Sequence, residues 1–113
     1  MVLDRVRVRA WKKAMESPCP HYKHSAIIHK NSKFLTGAYN LYKKTCPGGS
    51  GFYSTCHAEV RAIRQALNMG YNLSNCSIYV MRVNRSGIVR LSKPCKDCQK
   101  LIDKYGMRCN WSE

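Results

Sequence analysis

Apolar positions along the chain change their period several times, and each change marks an element. Residues 2–16 fit two periods: Val2, Val6 and Val8 alternate with Arg5, Arg7 and Arg9, whereas Leu3, Val6, Ala10 and Ala14 share one helical face. The segment is long and has no internal turn signal, so a helix is preferred. It ends at the breaker Ser17-Pro18-Cys19-Pro20. His24–His29 and Phe34–Asn40 read as strands joined by the turn Lys30-Asn31-Ser32-Lys33, which predicts a hairpin. Residues 43–55 read as a loop around Cys46-Pro47-Gly48-Gly49-Ser50-Gly51. Ser54 or Thr55 is then placed to cap a helix carrying Ala58, Ala62, Ile63, Ala66, Leu67 and Met69 at helical spacing, with Gly70 as its stop. Ser77–Val83 predicts a strand, turned by Asn84-Arg85-Ser86-Gly87 into Ile88–Leu91. A third helix runs from near Cys95 to Tyr105, closed by Gly106, and Met107–Trp111 is strand-like.

The late strand–helix–strand alternation favours an α/β fold, a mixed sheet covered by helices. No repeat or linker interrupts the pattern, so residues 1–113 are expected to form a single domain, large enough for one core. Apolar residues make up 44% of the chain, too many for a disordered one. No run approaches the roughly 18 apolar residues of a membrane span, and Met1–Arg5 lacks the apolar core of a secretory signal. No membrane association is expected.

Charge adds a second theme. Twenty Lys and Arg oppose six Asp and Glu, a formal net charge of +14. Such a field attracts nucleotides, nucleic acid or other acidic partners. The plainer alternatives are a solubility surface or the basic part of an assembly. Arg5, Arg7, Arg9, Lys12 and Lys13 form a stripe that either tracks phosphates or is a solvated helix face.

The seven cysteines are Cys19, Cys46, Cys56, Cys76, Cys95, Cys98 and Cys109. An odd count argues against a closed disulfide framework. A C-x-x-C pair with a distant upstream His argues for metal in a reducing compartment. Three features converge on one chemistry. His57-Ala58-Glu59 opens one helix, Pro94-Cys95-Lys96-Asp97-Cys98 opens another, and a strand lies between them. A catalytic zinc takes three protein ligands and keeps a fourth position for water; one imidazole and two thiolates fill that count. Cys95 and Cys98 are three apart and share a helical face, in a first turn whose free amides favour thiolate. Glu59 falls on a neighbouring side of the turn from His57, beside the ion without ligating it, where a carboxylate can shuttle a proton. Asp97, between the two cysteines, points off the ligand face. Each half alone is commonplace; the ordered combination is specific.

At these residues the chain resembles the zinc-dependent cytidine and deoxycytidylate deaminase superfamily. Thr55–Ile63 looks like the family's first zinc motif and Ser92–Cys98 like its second, the H-x-E…P-C-x-x-C signature. Gly37-Ala38-Tyr39-Asn40 is similar to the family strand whose Asn contacts the substrate sugar. The likeness spans residues 24 to 111 and is nearest in character to short viral or microbial members. It implies a cytidine-deaminase-like fold, a five-stranded sheet flanked by helices, and hydrolytic loss of ammonia from cytosine or, in some branches, adenine. It implies Zn2+ as cofactor, held by His57, Cys95 and Cys98, with Glu59 as acid and base. Asn40 would hold the sugar, with Cys56, Ala58 and Ser92 as further substrate-binding positions and the backbone near Cys56, His57 and Ser92 facing the base ring. The hairpin from Val83 to Leu91 departs from the pattern. The chain also ends at Glu113, where many members continue with another helix and strand, so a fold truncated at the C-terminus is expected.

Other residues have two readings each. Cys19, His21, His24 and Cys46 offer a second, structural zinc site, or are loop residues and a buried thiol. Cys56 and Cys76 read as small core residues, Cys109 as core or surface. Tyr39, Tyr42, Phe52 and Tyr53 would stack on a base or simply pack. The function expected is zinc-dependent deamination of a cytosine-type base in a nucleoside or nucleotide. Two alternatives stand beside it: deamination of a base within DNA or RNA, and a non-catalytic basic scaffold, for example in a virion, that keeps the fold and its zinc. The expected location is cytoplasmic, with the virion as alternative, and the expected state is a homo-oligomer or part of a larger assembly.

Overall fold

The computed structural model describes residues 4–19, 22–43 and 54–112. Helix α1 (Asp4–Met15) comes first. Strands β1 (Tyr22–Lys30) and β2 (Lys33–Tyr39) form the expected hairpin around Asn31 and Ser32, with Asn31 at positive φ. Two three-residue strands, β3 (Leu41–Lys43) and β4 (Ser54–Cys56), pair with each other. Helix α2 (Ala58–Asn68) follows, then β5 (Ser77–Asn84), β6 (Val89–Arg90), helix α3 (Lys96–Lys104) and β7 (Arg108–Trp111). The five-stranded sheet runs β2-β1-β5-β6, with β7 also on β5. Its pairs are antiparallel except β5–β7, so the sheet is mixed, as the sequence pattern predicted. The glycine-rich segment with Cys46, Phe52 and Tyr53 lies outside the described residues, as does His21.

Alternation along the central strands sorts side chains into two cores. Ala26 and Ile28 of β1 and Ile78 and Val80 of β5 face α2 and α3, packing on Ala58, Ala62, Ala66 and Ile102. Ile27, Tyr79, Met81 and Val83 face the other way, onto Val6, Ala10 and Ala14 of α1. The helical period therefore wins over the alternating one in residues 4–15, because it lines up the small residues that meet the sheet. Ser25, wholly buried, reaches from β1 to the Ala10 carbonyl at 2.7 Å and ties the two layers.

Both helices on the far face end as their glycines predicted. In α2, Gly70 N–H bonds the Leu67 carbonyl at 3.0 Å and Tyr71 N–H bonds Ala66 at 3.1 Å. In α3, Gly106 N–H bonds Asp103 at 3.0 Å and Met107 N–H bonds Ile102 at 3.3 Å. Both are Schellman closures, which need the left-handed φ of +85° at Gly70 and +70° at Gly106. The helix starts differ from expectation. Ser54 and Thr55 do not cap α2: their backbone is occupied in β4, opposite Lys43 and Tyr42, and the cap position falls to His57. Cys95 is likewise the cap of α3, one residue before the first turn where it was expected.

Ile78 lies near the start of β5 with no exposure. Ile78→Ala is expected to cost about 2–5 kcal/mol, read as a lower urea midpoint at unchanged m-value.

Candidate metal centre and active site

An N-cap residue ordinarily spends its side chain on the free amides of the helix it starts. His57 (φ −65°, ψ 140°) and Cys95 (φ −68°, ψ 167°) make no such bond. They turn toward each other instead. His57 Nδ1 lies 3.3 Å from Cys98 Sγ and 3.8 Å from Cys95 Sγ, and all three donor atoms fall within 4.8 Å of one another. Cys98 is buried, whereas His57 and Cys95 are exposed, so the cluster sits at the floor of an opening. The helices stay intact behind it: Arg61 N–H bonds the His57 carbonyl at 3.2 Å and Gln99 N–H bonds Cys95 at 2.8 Å.

Glu59, in the first turn of α2, is only 5% exposed, and its carboxylate stands beside Cys98. Among the described residues it has no ion-pair partner. Burial first, then the Glu59 charge, then neighbouring Cys95, pushes the Cys98 thiol far above its usual range. The Cys109 thiol is pushed up to about 11, by burial, then Glu59, then Asp103. Thiols and a carboxylate crowd one space, where each negative charge opposes the next ionisation, and a bound cation relieves that repulsion.

A cavity of about 250 Å³ opens over the cluster. His57, Glu59 and Cys95 line it, with Ala58, Asn40 and Ser92. Ser92 is buried, and its Oγ has no hydrogen-bond partner among the described residues. Asn40 lies just beyond β2, and its amide is largely committed to backbone. Its Oδ1 accepts from His24 N–H at 2.8 Å and faces the Ser17 hydroxyl at 2.7 Å; its Nδ2 donates to the Tyr22 carbonyl at 3.1 Å. One Nδ2 hydrogen remains. Cys56 contributes its backbone to β4, opposite Leu41.

Three lining residues escaped the sequence reading of the site: Tyr22, His24 and Lys93. His24 had suggested itself only as part of a second metal site with Cys19, His21 and Cys46. Cys19 is instead buried with its thiol toward the Asn40 carbonyl at 3.6 Å, and among the described residues the one three-donor group is His57, Cys95 and Cys98. Burial first, then the charges of Arg82 and His57, lowers the His24 pKa to about 4, so it lines the cavity as a neutral imidazole. The basic stripe on α1 lies across the sheet from this site: Arg9 stacks on Phe34 at 4.4 Å and Lys13 pairs with Glu16 at 2.9 Å.

The family model for the cytidine and deoxycytidylate deaminase zinc-binding region matches residues 3–110. The chain belongs to that family. The metal of this deaminase-family chain is zinc, and its donor set fits one. With Zn–S near 2.3 Å and Zn–N near 2.0–2.1 Å, a tetrahedral ion separates imidazole nitrogen from sulfur by about 3.6 Å; the observed 3.3 and 3.8 Å bracket that spacing. Solved structures carry the same fold. A cytidine deaminase from Burkholderia pseudomallei is similar at TM-score 0.66 and 19% identity, over 93% of this chain and 78% of that one. A dCMP deaminase from the cyanophage S-TIM5 is similar at TM-score 0.66 and 20% identity, over 97% and 84%. A cytidine deaminase from Mycobacterium leprae is similar at TM-score 0.63 and 15% identity, over 96% and 87%. A search of the curated proteins found no match.

The protein purified without added zinc is expected to carry about one zinc per chain by mass spectrometry of the metal. Stripping it with a chelator should lower the melting temperature, since the cluster that joins the starts of α2 and α3 loses its cation. A chain that is metal-free and equally stable would remove the zinc assignment.

Proposed function

We propose that this protein hydrolytically deaminates a cytosine-type base carried by a nucleoside or nucleotide. In this reading His57, Cys95 and Cys98 hold the zinc and Glu59 moves the protons. The observation that carries it is the buried Glu59 carboxylate, set against Cys98 and lining the same cavity as His57 and Cys95. A zinc that merely held the fold together would need no carboxylate there. When bound, zinc supplies the Lewis acidity that makes a water molecule reactive near neutral pH.

The chain's own groups account for the rest. Glu59 accepts a proton as water adds to the ring carbon bearing the amino group, and delivers it to the adjacent ring nitrogen. A second proton passes through the same carboxylate to the amino group, which leaves as ammonia. Water and cytosine thus give uracil and ammonia, and Glu59 ends as it began. The free amides at the start of α2, at Ala58 and Glu59, and the unpartnered Ser92 hydroxyl are placed to hold the polar edge of the base. The remaining Nδ2 hydrogen of Asn40 is a donor for a sugar oxygen. Backbone at Cys56 completes the wall in this reading.

A phosphorylated substrate is favoured by the net charge of +14 and by Lys93 at the cavity. The S-TIM5 dCMP deaminase was solved in complex with dCMP and dUMP, which differ by the exchange of an amino for an oxo group. We read residues 1–113 as one domain acting in a reducing, cytoplasmic setting. Cys19, Cys76, Cys95, Cys98 and Cys109 are free thiols, and none of the described helices is long and apolar enough to cross a membrane. A homo-oligomeric state remains part of this proposal.

Glu59→Gln preserves size and the zinc donors but cannot accept a proton. It is expected to keep its zinc and melting temperature and to lose about 100- to 10,000-fold in deamination rate, followed as ammonia released from cytidine, deoxycytidine and dCMP. Comparable turnover by the variant would refute the role of Glu59. No turnover by the parent protein on any of these substrates or on an oligonucleotide would favour a zinc-bearing scaffold.

A further inference from the structure

The polar face of the sheet does not end at the cavity. In β1, Tyr22 and His24 point to the same face and both line the cavity. Pairing carries that face outward: His24 stands opposite Arg82 on β5, and Arg82 stands opposite Arg90 on β6. Tyr22 stands opposite Asn84. Arg82, Arg90, Asn84 and the turn residue Arg85 line an open groove of about 640 Å³, and Tyr22 belongs to both groove and cavity.

Two arginines directly opposite each other in an antiparallel ladder repel, and the arrangement costs stability unless something neutralises it. Among the described residues no carboxylate does. Asp4 lies in α1 and Glu16 just after it, Glu59 in the cavity, and Asp97 and Asp103 on α3. Among the described residues the one ion pair joins Lys13 and Glu16. The groove is also built in advance of any ligand. Asn84 Oδ1 accepts from Ser86 N–H and Ile88 N–H, both at 2.9 Å, which fixes the turn that presents Arg85. Trp11 Nε1 donates to the Gly87 carbonyl at 2.9 Å and anchors that turn to α1. Arg82 lies over the Tyr22 ring at 3.7 Å, with its buried Nε unpartnered among the described residues. Tyr22 is itself 51% exposed, an aromatic residue at the junction of groove and cavity.

Resting on the deaminase chemistry above, but with the cytosine nucleotide carried within a strand rather than free, we propose that this groove holds the phosphodiester backbone of a single-stranded nucleic acid whose target base enters the cavity. One phosphate satisfies one guanidinium fork. Three forks spread over two strands and a turn match successive phosphates instead, and an exposed tyrosine between backbone track and base cavity suits a flanking base. A single strand also presents its base without the cost of opening a duplex.

The test is binding, not turnover. The full zinc-loaded chain, in the Glu59→Gln background, is titrated by fluorescence anisotropy into a labelled single-stranded oligonucleotide of about ten nucleotides with one central cytosine. Arg85 and Arg90 are exposed, so Arg85→Ser with Arg90→Ser should fold and keep its zinc. This double variant should weaken binding at low salt by about tenfold or more and reduce the slope of log affinity against log salt by about 1.4, roughly 0.7 per lost phosphate contact. The control, Arg5→Ser with Lys12→Ser, removes the same charge from exposed positions on α1 and should shift affinity far less. An equal loss from both double variants would reduce the effect to net charge and overturn the proposal. So would dCMP binding as tightly as the oligonucleotide with the same dependence on Arg85 and Arg90. Because no catalysis is read, absent deamination would count against the enzymatic reading while leaving the groove result intact.

Discussion

Everything about the site depends on two helices beginning at the same place. A helix start is where a chain has spare amides and where a polar cap normally stabilises it, by about 1 kcal/mol. Here both caps are given over to a shared cluster, His57 from α2 and Cys95 from α3. Cys98 comes from the first turn of the same helix as Cys95, and Glu59 from the first turn of the other. The free amides and helix dipoles then point toward the cysteines and the Glu59 carboxylate, groups that are negatively charged once a cation is bound. The cation offsets what the two helices lose as caps. Metal binding and helix placement are in this sense a single interaction.

The sheet supplies the alignment. β5 pairs with β1 along its whole length and with β6 and β7 on its other side. Its inward residues, Ile78 and Val80, give α2 and α3 a floor. At Arg82 that same face becomes polar, and the apolar core gives way to the wall of an arginine-lined groove. One strand thus serves packing at one end and electrostatics at the other, with a change of residue type at a fixed period of two.

The sequence made the periodic and the punctuated parts legible. Helices α2 and α3 were readable because apolar spacing and terminal Gly70 and Gly106 agreed. The zinc triad was readable because its ligands come in two short, ordered motifs. What could not be read depends on register. Three-residue strands such as β3 and β4 are too short to show a period, so Ser54 and Thr55 looked like caps when their backbone was already taken. Tyr22 and His24 reach the cavity from far away in sequence, and no local pattern marks them. The opposition of Arg82 and Arg90 exists only once β5 and β6 are paired.

The hydrogen bonds of Asn40 bear on how such a cavity can change its preference. Its amide closes a junction among Ser17, Tyr22 and His24, so the fold demands both an acceptor and a donor there. Aspartate would bury a charge and strand the Tyr22 carbonyl; alanine would orphan two backbone groups. The residue is therefore fixed by architecture before any ligand arrives. Its presence says little about which molecule the cavity selects, and new selectivity has to be written in freer positions such as Ser92, whose hydroxyl no backbone group among the described residues has claimed.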